Sequence, residues 1–228
     1  MKVVSVNIGE RTTIFYNGKE EETGIYKYPV QNPIYIERNG VNGDHVVDKR
    51  YHGGVDKACY AYGLNGYDFW KKQFPDLEIT YGIFGENLTI AGLDETNLFI
   101  GQIFSVGEAL IQVSQPRIPC YKLGIRFNDM GMVKQFQQAD FSGVYFRVLQ
   151  DGHVQVGDDL FPEKNISSKN ITVAEVYSLF KGVTKDQNLA KKALEDPFLS
   201  ESIKTNIRGF LEAQKKKSKS QLIRTLIQ

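Results

Sequence analysis

The segment 115–122, with the sequence QPRIPCYK, places a thiol in a setting that a protein core does not require. Pro116 and Pro119 fix the backbone on both sides of Arg117. Cations next to a thiol favour the thiolate, which is the nucleophilic and metal-binding form of cysteine. Most cysteines are buried packing residues, but the two prolines and the flanking cations favour a functional role for Cys120.

The other cysteine, Cys59, lies in the apolar run Ala58–Ala61, and we predict that it packs in the core. Two cysteines in 228 residues do not form a disulfide framework, and a cytoplasmic location would keep them reduced. The histidines share no zinc-ligand spacing with the cysteines. They are His45, His52 and His153.

A second candidate is the loop Arg50–Lys57, where cationic side chains surround two glycines. Gly53 and Gly54 let backbone N–H groups come close to a ligand. With Arg50, His52 and Lys57, the loop suits a phosphate or another anion. On these residues alone, an ordinary turn with exposed charges is slightly the better interpretation.

A third candidate is Phe84–Thr89, which leads into a predicted strand. Glu86 and Asn87 offer acceptors and an amide that suit the edge of a heterocycle. A turn before a strand would use the same residues, so this segment alone does not establish a site.

The elements that would hold these segments are mostly short strands before residue 165. We predict a hairpin of Val3–Ile8 with Thr13–Tyr16, and a second hairpin of Ile103–Val106 with Ala109–Gln115. Further strands are predicted at Lys57–Tyr62 and around Val144–Val148, with helices at 65–73 and 130–139. Many short strands with glycine turns indicate a barrel or a sandwich.

Beyond residue 165 the pattern becomes helical. Thr172 and Glu175 have the spacing of a capping box, and further helices are predicted at 185–194 and from about Ser200 onward. We therefore predict a β domain over 1–165 and a three-helix module over 166–228. The module has no Cys and no His, so we expect it to support the barrel or partner contacts and to supply no catalytic group.

The composition excludes two function classes. A net charge of +1 argues against a dedicated nucleic-acid binder. No apolar run approaches the roughly 20 residues that span a bilayer, so we predict no membrane insertion. The N-terminus lacks the apolar stretch of a signal peptide, and we expect a cytoplasmic protein.

Taken together and in order, the three segments resemble the MOSC domain family, named for the C-terminal domain of molybdenum cofactor sulfurases. The similarity rests on 52–58 (HGGVDKA), 84–89 (FGENLT) and 115–120 (QPRIPC), and on closing strands from Gly143 to Asp158. It covers about residues 1–163. The helical tail resembles the three-helix module of a bacterial stand-alone subgroup, which includes the 6-hydroxylaminopurine reductases.

The resemblance implies a mostly β, MOSC-type barrel with a few interrupting helices and a bound molybdenum cofactor, a pyranopterin with one phosphate. It implies that Cys120 is the catalytic thiolate that ligates molybdenum. It further implies that the motif segments bind the cofactor through Arg50, His52, Gly53, Gly54, Asp56, Lys57, Phe84, Gly85, Glu86, Asn87, Thr89 and Arg117.

Three functions follow as hypotheses. The first is reduction of small N-hydroxylated compounds such as N-hydroxylated purines. Because the chain has no iron–sulfur cysteine set and no dinucleotide fingerprint, its electrons would come from a separate reductase protein. The second is a sulfur carrier with a Cys120 persulfide. The third is a non-catalytic module for a phosphorylated ligand.

Overall fold

The computed structural model describes residues 1–47, 53–163, 170–181 and 186–213 of the chain. Arg50 and His52, two of the predicted site residues, lie outside the described residues. The fold is mostly sheet with interspersed helices, as predicted. Its strands are β1 (Lys2–Gly9), β2 (Thr12–Tyr16), β3 (Lys19–Thr23), β4 (Lys27–Pro29), β5 (Ile34–Glu37), β6 (Gly40–Val41), β7 (Cys59–Gly63), β8 (Leu88–Ala91), β9 (Ile103–Val106), β10 (Ala109–Pro116), β11 (Val144–Gln150), β12 (Gly152–Val154) and β13 (Phe161–Pro162).

The helices lie between and after these strands in the chain. They are α1 (Leu64–Gln73), α2 (Tyr121–Arg126), α3 (Gly131–Gln138), α4 (Val173–Ser178) and α5 (Gln187–Glu195), with a last described helix at 201–213 and a 3-10 turn at Val55–Lys57. Of these, α2 is not among the predicted helices. None of the helices within the described ranges combines the length and apolar character that crossing a membrane requires.

The main sheet has eight strands in the order β13-β9-β10-β11-β7-β8-β1-β4. Its two ends are joined by residues 157–162. Val3 N donates to Asp158 O, and Leu160 N donates to Met1 O, both at 2.9 Å. The same stretch continues into β13, which pairs with β9. The sheet is thus closed into a barrel, and closure brings segments that are distant in sequence to one end of it.

The predicted β9–β10 hairpin is confirmed, with Ala109 opposite Val106. The predicted pairing of the first two strands is wrong. β1 pairs with β8 and β4, whereas β2 pairs with β3. The reason is the turn: Asn17 and Gly18 have φ of 50° and 76°, the left-handed pair that a tight two-residue hairpin needs, and this turn connects β2 to β3.

The buried apolar residues form two clusters. The larger contains the apolar residues of the barrel strands and also residues of the C-terminal helices, among them Val176, Ala193 and Ile203. The smaller is aromatic and lies between β7, α1 and α3. It contains Tyr60, Trp70 and Phe136, with Trp70 and Phe136 stacked at 6.1 Å between ring centroids. This rigid layer supports one side of the candidate site.

The C-terminal helices dock on the barrel through main-chain bonds as well as apolar contacts. Ile100 N donates to Ile171 O, and Val173 N donates to Leu98 O. The predicted capping box at Thr172 and Glu175 is confirmed and begins α4. Because these helices share the larger cluster with the barrel, they contribute to the same core. The predicted division at residue 165 and the absence of a catalytic group in the helices stay predictions.

Candidate functional site

A cavity with an empty volume of about 650 Å³ opens where β7, the loop before β8 and the segment after β10 meet. Five residues named from the sequence line it together: Lys57, Gly85, Asn87, Arg117 and Cys120. They come from all three predicted segments. The closed sheet is what brings them together, since β7 pairs with both β8 and β11, and β11 pairs with β10.

Cys120 lies directly after the proline segment and immediately before α2. It is half-buried and has extended backbone, with φ −127° and ψ 172°. Leu123 N donates to Cys120 O at 3.0 Å, so the thiol-bearing residue is fixed to the first turn of the helix. Cys59, in contrast, is fully buried among apolar residues, and burial raises the pKa of its thiol to about 12. The predicted core packing of Cys59 is confirmed, whereas Cys120 lines the cavity and its functional role stays a prediction.

Arg117 is the most constrained charge in the cavity. Its guanidinium lies 5.1 Å from the Tyr60 ring centroid and 5.2 Å from that of Phe136. The residue is only 6% exposed, yet its Nη1 has no hydrogen-bond partner among the residues that the structure describes. A guanidinium stays charged at any accessible pH. A buried charged donor without a partner is costly unless a ligand satisfies it.

Lys57 is carried by the 3-10 turn and lines the same cavity as Cys120. Asp56 accepts a bond from Arg147 Nε at 2.6 Å, which ties the turn to β11. Burial lowers the pKa of Lys57, and the neighbouring Asp56 carboxylate opposes that shift. Asp56, which the resemblance predicts to bind cofactor, thus positions the turn that carries Lys57.

Several cavity residues were missed by sequence reasoning. Lys27 and Asp44 form an ion pair whose side chains are 7% and 3% exposed, and Asn87 Nδ2 donates to Asp44 at 3.0 Å. Tyr145 also lines the cavity, and burial raises the pKa of its phenol while Arg117 opposes the shift. None of these positions carries a motif, because their placement depends on strand pairing rather than on local spacing.

The remaining predicted residues lie away from the cavity surface. Phe84, Glu86 and Thr89 are fully buried and do not line it. Glu86 Oε1 accepts bonds from Tyr67, from Gly82 N at 2.8 Å and from Thr89 at 2.9 Å. These contacts hold the loop in shape. Gly53 and Gly54 precede Lys57 without lining the cavity, and cofactor binding by these five residues stays a prediction.

Gly85 shows why a glycine is needed in that loop. It has φ of +80°, and a Cβ there would come within 3.1 Å of Ile25 Cγ1. The conformation favours glycine, and the missing side chain keeps space open at the cavity wall.

The cavity is electropositive. The Lys27–Asp44 pair is neutral overall, whereas Arg117, Lys57 and Lys122 add positive charge around Cys120. Lys122 is buried, and its Nζ donates to Glu22 O at 3.1 Å. The positive charge of such a site favours an anionic ligand. The same ligand could contact the Cys120 thiol through another of its groups.

Comparisons with known proteins identify the family and the fold. The chain is 40% identical to YflK of Bacillus subtilis over 88% of this chain and 90% of that protein. It is 34% identical to YiiM of Escherichia coli over 79% of this chain and 80% of that protein. The crystal structure of YiiM from Geobacillus stearothermophilus superposes with a TM-score of 0.76 at 30% identity, covering 91% of this chain and 97% of that one.

A more distant similarity links the chain to a protein named Reductase from Gibberella moniliformis. The two are 33% identical over 63% of this chain, which corresponds to 26% of that longer protein. The family model of the MOSC domain matches residues 48–161, the stretch that contains β7, β8, β10 and Cys120. This chain therefore belongs to the MOSC domain family.

Proposed function

We propose that the protein is a molybdenum-cofactor-dependent reductase of N-hydroxylated compounds. The observation that carries the proposal is the pairing of two groups in one cavity: the Cys120 thiol and the buried Arg117 guanidinium with an unpartnered Nη1. The similarity to a protein named Reductase supports the reaction class.

The residues present fit the cofactor. A pyranopterin phosphate is anionic, and the unpartnered Arg117 Nη1 offers it a charged donor inside the protein. Cys120 Sγ offers a soft ligand, the type that a metal in sulfur-rich surroundings accepts. Lys57 and Lys122 add charge that balances a ligand of this kind.

When bound, the cofactor supplies a redox metal that passes two electrons to the N–O bond. The overall step is R–NHOH + 2e⁻ + 2H⁺ → R–NH₂ + H₂O, so nitrogen is reduced and the oxygen leaves as water. Lys57 Nζ would give one of the protons, because burial lowers its pKa and makes the ammonium a better acid at neutral pH. Tyr145, whose pKa is raised further by burial, would stay neutral and orient the substrate through its hydroxyl.

The electrons would come from a separate donor protein. The sequence has two cysteines in all, too few for an iron–sulfur cluster, and it carries no dinucleotide-binding fingerprint. A small N-hydroxylated substrate and a reductase partner are therefore both part of the proposal.

The test uses protein produced in a host that makes the cofactor. Molybdenum and pterin content are measured first, and then reduction of an N-hydroxylated purine with a chemical electron donor. C120S should lose at least about 1,000-fold in turnover, since a serine hydroxyl is a hard and poorly ionised ligand. C59S is the matched control and should keep turnover, losing only stability.

Near-wild-type turnover by fully metallated C120S would contradict the proposal. A sulfane-sulfur assay separates the competing hypothesis: a persulfide on Cys120 in a protein without molybdenum would favour a sulfur carrier. Neither metal nor persulfide would leave the phosphorylated-ligand module.

A further inference from the structure

The cavity wall carries a histidine that the proposed reaction has not yet used. That reaction consumes two protons, and Lys57 accounts for one of them. Delivery of the second proton by the protein needs another group on the wall. His45 lines the cavity, is exposed, and is the one histidine on its wall among the residues that the structure describes. Imidazole is the side chain that most readily gives and takes a proton near neutral pH.

The backbone of His45 is held in place by two glycines. His45 N donates to Gly9 O at 3.1 Å. A Cβ on Gly24 would lie 1.5 Å from His45 O, so the two segments fit together only because Gly24 has no side chain. Gly9 N in turn donates to Asp44 Oδ1 at 2.8 Å, which ties the preceding residue to the same point. The imidazole is therefore carried by a segment that is packed tightly against the end of β1 and the residue after β3.

One ring nitrogen of His45 has a fixed role. Nδ1 lies 3.3 Å from Gly9 O, and because a carbonyl oxygen only accepts, Nδ1 carries a proton in both the neutral and the charged ring. The bond made by one ring nitrogen thus sets the tautomer. The proton that the charged ring can lose is the one on Nε2. No group in the described part of the chain forms a hydrogen bond with Nε2, so this nitrogen can serve a ligand in the cavity.

The other ionisable groups on the cavity wall are less suited to this role. Lys27 and Asp44 form a buried ion pair, and Lys122 Nζ donates to a main-chain carbonyl of β3 at 3.1 Å. Cys120 is assigned to the metal, and the guanidinium of Arg117 keeps its proton at any accessible pH. Burial raises the pKa of the two phenols on the wall, those of Tyr60 and Tyr145. Among the described wall residues, the imidazole is the remaining group that exchanges a proton readily.

We infer that His45 is the second proton donor of the proposed reduction and gives its Nε2 proton to the N-hydroxylated substrate. The inference rests on the proposed function. The N–O bond breaks as the two electrons from the separate donor protein enter. The leaving hydroxyl oxygen and the nitrogen each take one proton, one from Lys57 and the other from His45, which gives water and the amine R–NH₂. His45 is left neutral with its proton on Nδ1, the form that Gly9 O stabilises.

The experiment uses the full-length, cofactor-loaded protein and three variants. H45N keeps an N–H donor on a short side chain but lacks Nε2, H45A leaves room for free imidazole, and H153N changes an exposed histidine that does not line the cavity. The measurements are molybdenum content, and kcat and KM for an N-hydroxylated purine with a chemical electron donor, with and without imidazole. Long-range ¹H–¹⁵N NMR of wild type and H45N identifies the His45 signals and locates the ring proton without any turnover.

We expect kcat of H45N and H45A to fall at least about tenfold, with KM within about threefold and molybdenum content unchanged. Imidazole should raise the kcat of H45A about fivefold and leave H45N unaltered, because only H45A has the space for it. H153N should match the wild type, and the neutral His45 ring should carry its proton on Nδ1. Wild-type kcat in both His45 variants would overturn the inference. So would no recovery of H45A with imidazole, a neutral ring protonated on Nε2, or loss of molybdenum from either variant.

The outcome separates this inference from the proposed function. Turnover that is the same in wild type, H45N and H45A would retain the reductase and reject His45 as a donor. A fully metallated wild type that reduces no N-hydroxylated compound would reject the reductase, and the inference with it.

Discussion

Two motif segments of this protein look equally polar in sequence and behave differently in the fold. In the loop that contains Glu86, one carboxylate oxygen, Oε1, accepts bonds from Tyr67, Gly82 and Thr89, while the buried Oε2 has no partner among the described residues. In the segment 115–122, Arg117 is held by aromatic rings, and its Nη1 likewise has no partner among the described residues. The difference is position: Glu86 does not line the cavity and its bonds hold the loop together, which indicates a scaffold role, whereas Arg117 lines the cavity with an unused charged donor, which indicates a ligand site.

The largest effect should come from removing the Glu86 carboxyl. E86A removes the acceptor that Tyr67, Gly82 N and Thr89 share. Gly82 N can still donate to Tyr67 Oη at 3.0 Å, but the other buried donors lose their best acceptor, and we expect the free energy of unfolding to fall by roughly 4 kcal/mol. Burial raises the pKa of Glu86 despite these bonds, so E86Q, which keeps the accepting oxygen, should lose far less. Urea unfolding of both variants checks this. An E86A protein as stable as E86Q would mean that the loop is not held by this carboxyl.

Glu95 extends the comparison to a buried carboxyl with fewer donors. It accepts a bond from Gly143 N at 2.9 Å, and burial raises its pKa to about 7. The folded state therefore keeps a proton that the unfolded state releases between about pH 4.5 and 7. Stability should fall by at most about 3 kcal/mol as pH rises through that window and should change little from this group above it.

E95Q tests this pH dependence, because glutamine does not titrate. Unfolding measured at pH 5, 6, 7 and 8 should show a flatter profile for E95Q than for the wild type, with the largest gain at pH 8. E212Q, at an exposed position of the last helix, serves as the control. Parallel profiles for wild type and E95Q would assign the pH dependence to other groups.

Arg117 tests the second segment of the comparison, the one with a charged donor in the cavity. R117M keeps a long apolar side chain between the Tyr60 and Phe136 rings and removes the charge. We expect molybdopterin retention to weaken about 30-fold, equivalent to about 2 kcal/mol, with stability unchanged or increased, because a buried charge without full pairing costs free energy. Pterin content after dialysis and thermal unfolding are the readouts. Full retention of cofactor by R117M would remove Arg117 from the binding site.

The smallest effect should be at Lys57, which lines the cavity. With its pKa lowered by burial, the ammonium loses its proton at a lower pH than an ordinary lysine. The kcat/KM should therefore decline on the alkaline side, and K57R should lose activity without showing that decline, because a guanidinium keeps its proton at any accessible pH. K57Q should lose about tenfold at pH 7, a modest share of what a general acid can supply. Identical pH profiles for wild type and K57R would exclude Lys57 as the proton donor.

Most of the strands that sequence reasoning named, the family and the candidate Cys120 could be predicted from the sequence. These predictions need only local periodicity and the spacing of prolines, glycines and cations. It did not separate Glu86 from Asn87, although the two are neighbours, because their roles depend on which way each side chain points from the loop. It also missed Lys27 and Asp44, whose pairing requires β4 and the loop after β6, 17 residues apart in sequence, to meet at the cavity.

Barrel closure by residues 157–162 has a consequence for synthesis. β1 is made before the stretch that pairs with one of its edges, through contacts such as Lys2 with Asp159. Until residues 157–162 have been made, that edge stays open to other chains, and such edges promote aggregation. The long sequence separation also makes closure a slow step. A nascent chain would therefore depend on rapid synthesis, or on a chaperone, until residues 157–162 have left the ribosome and paired with β1.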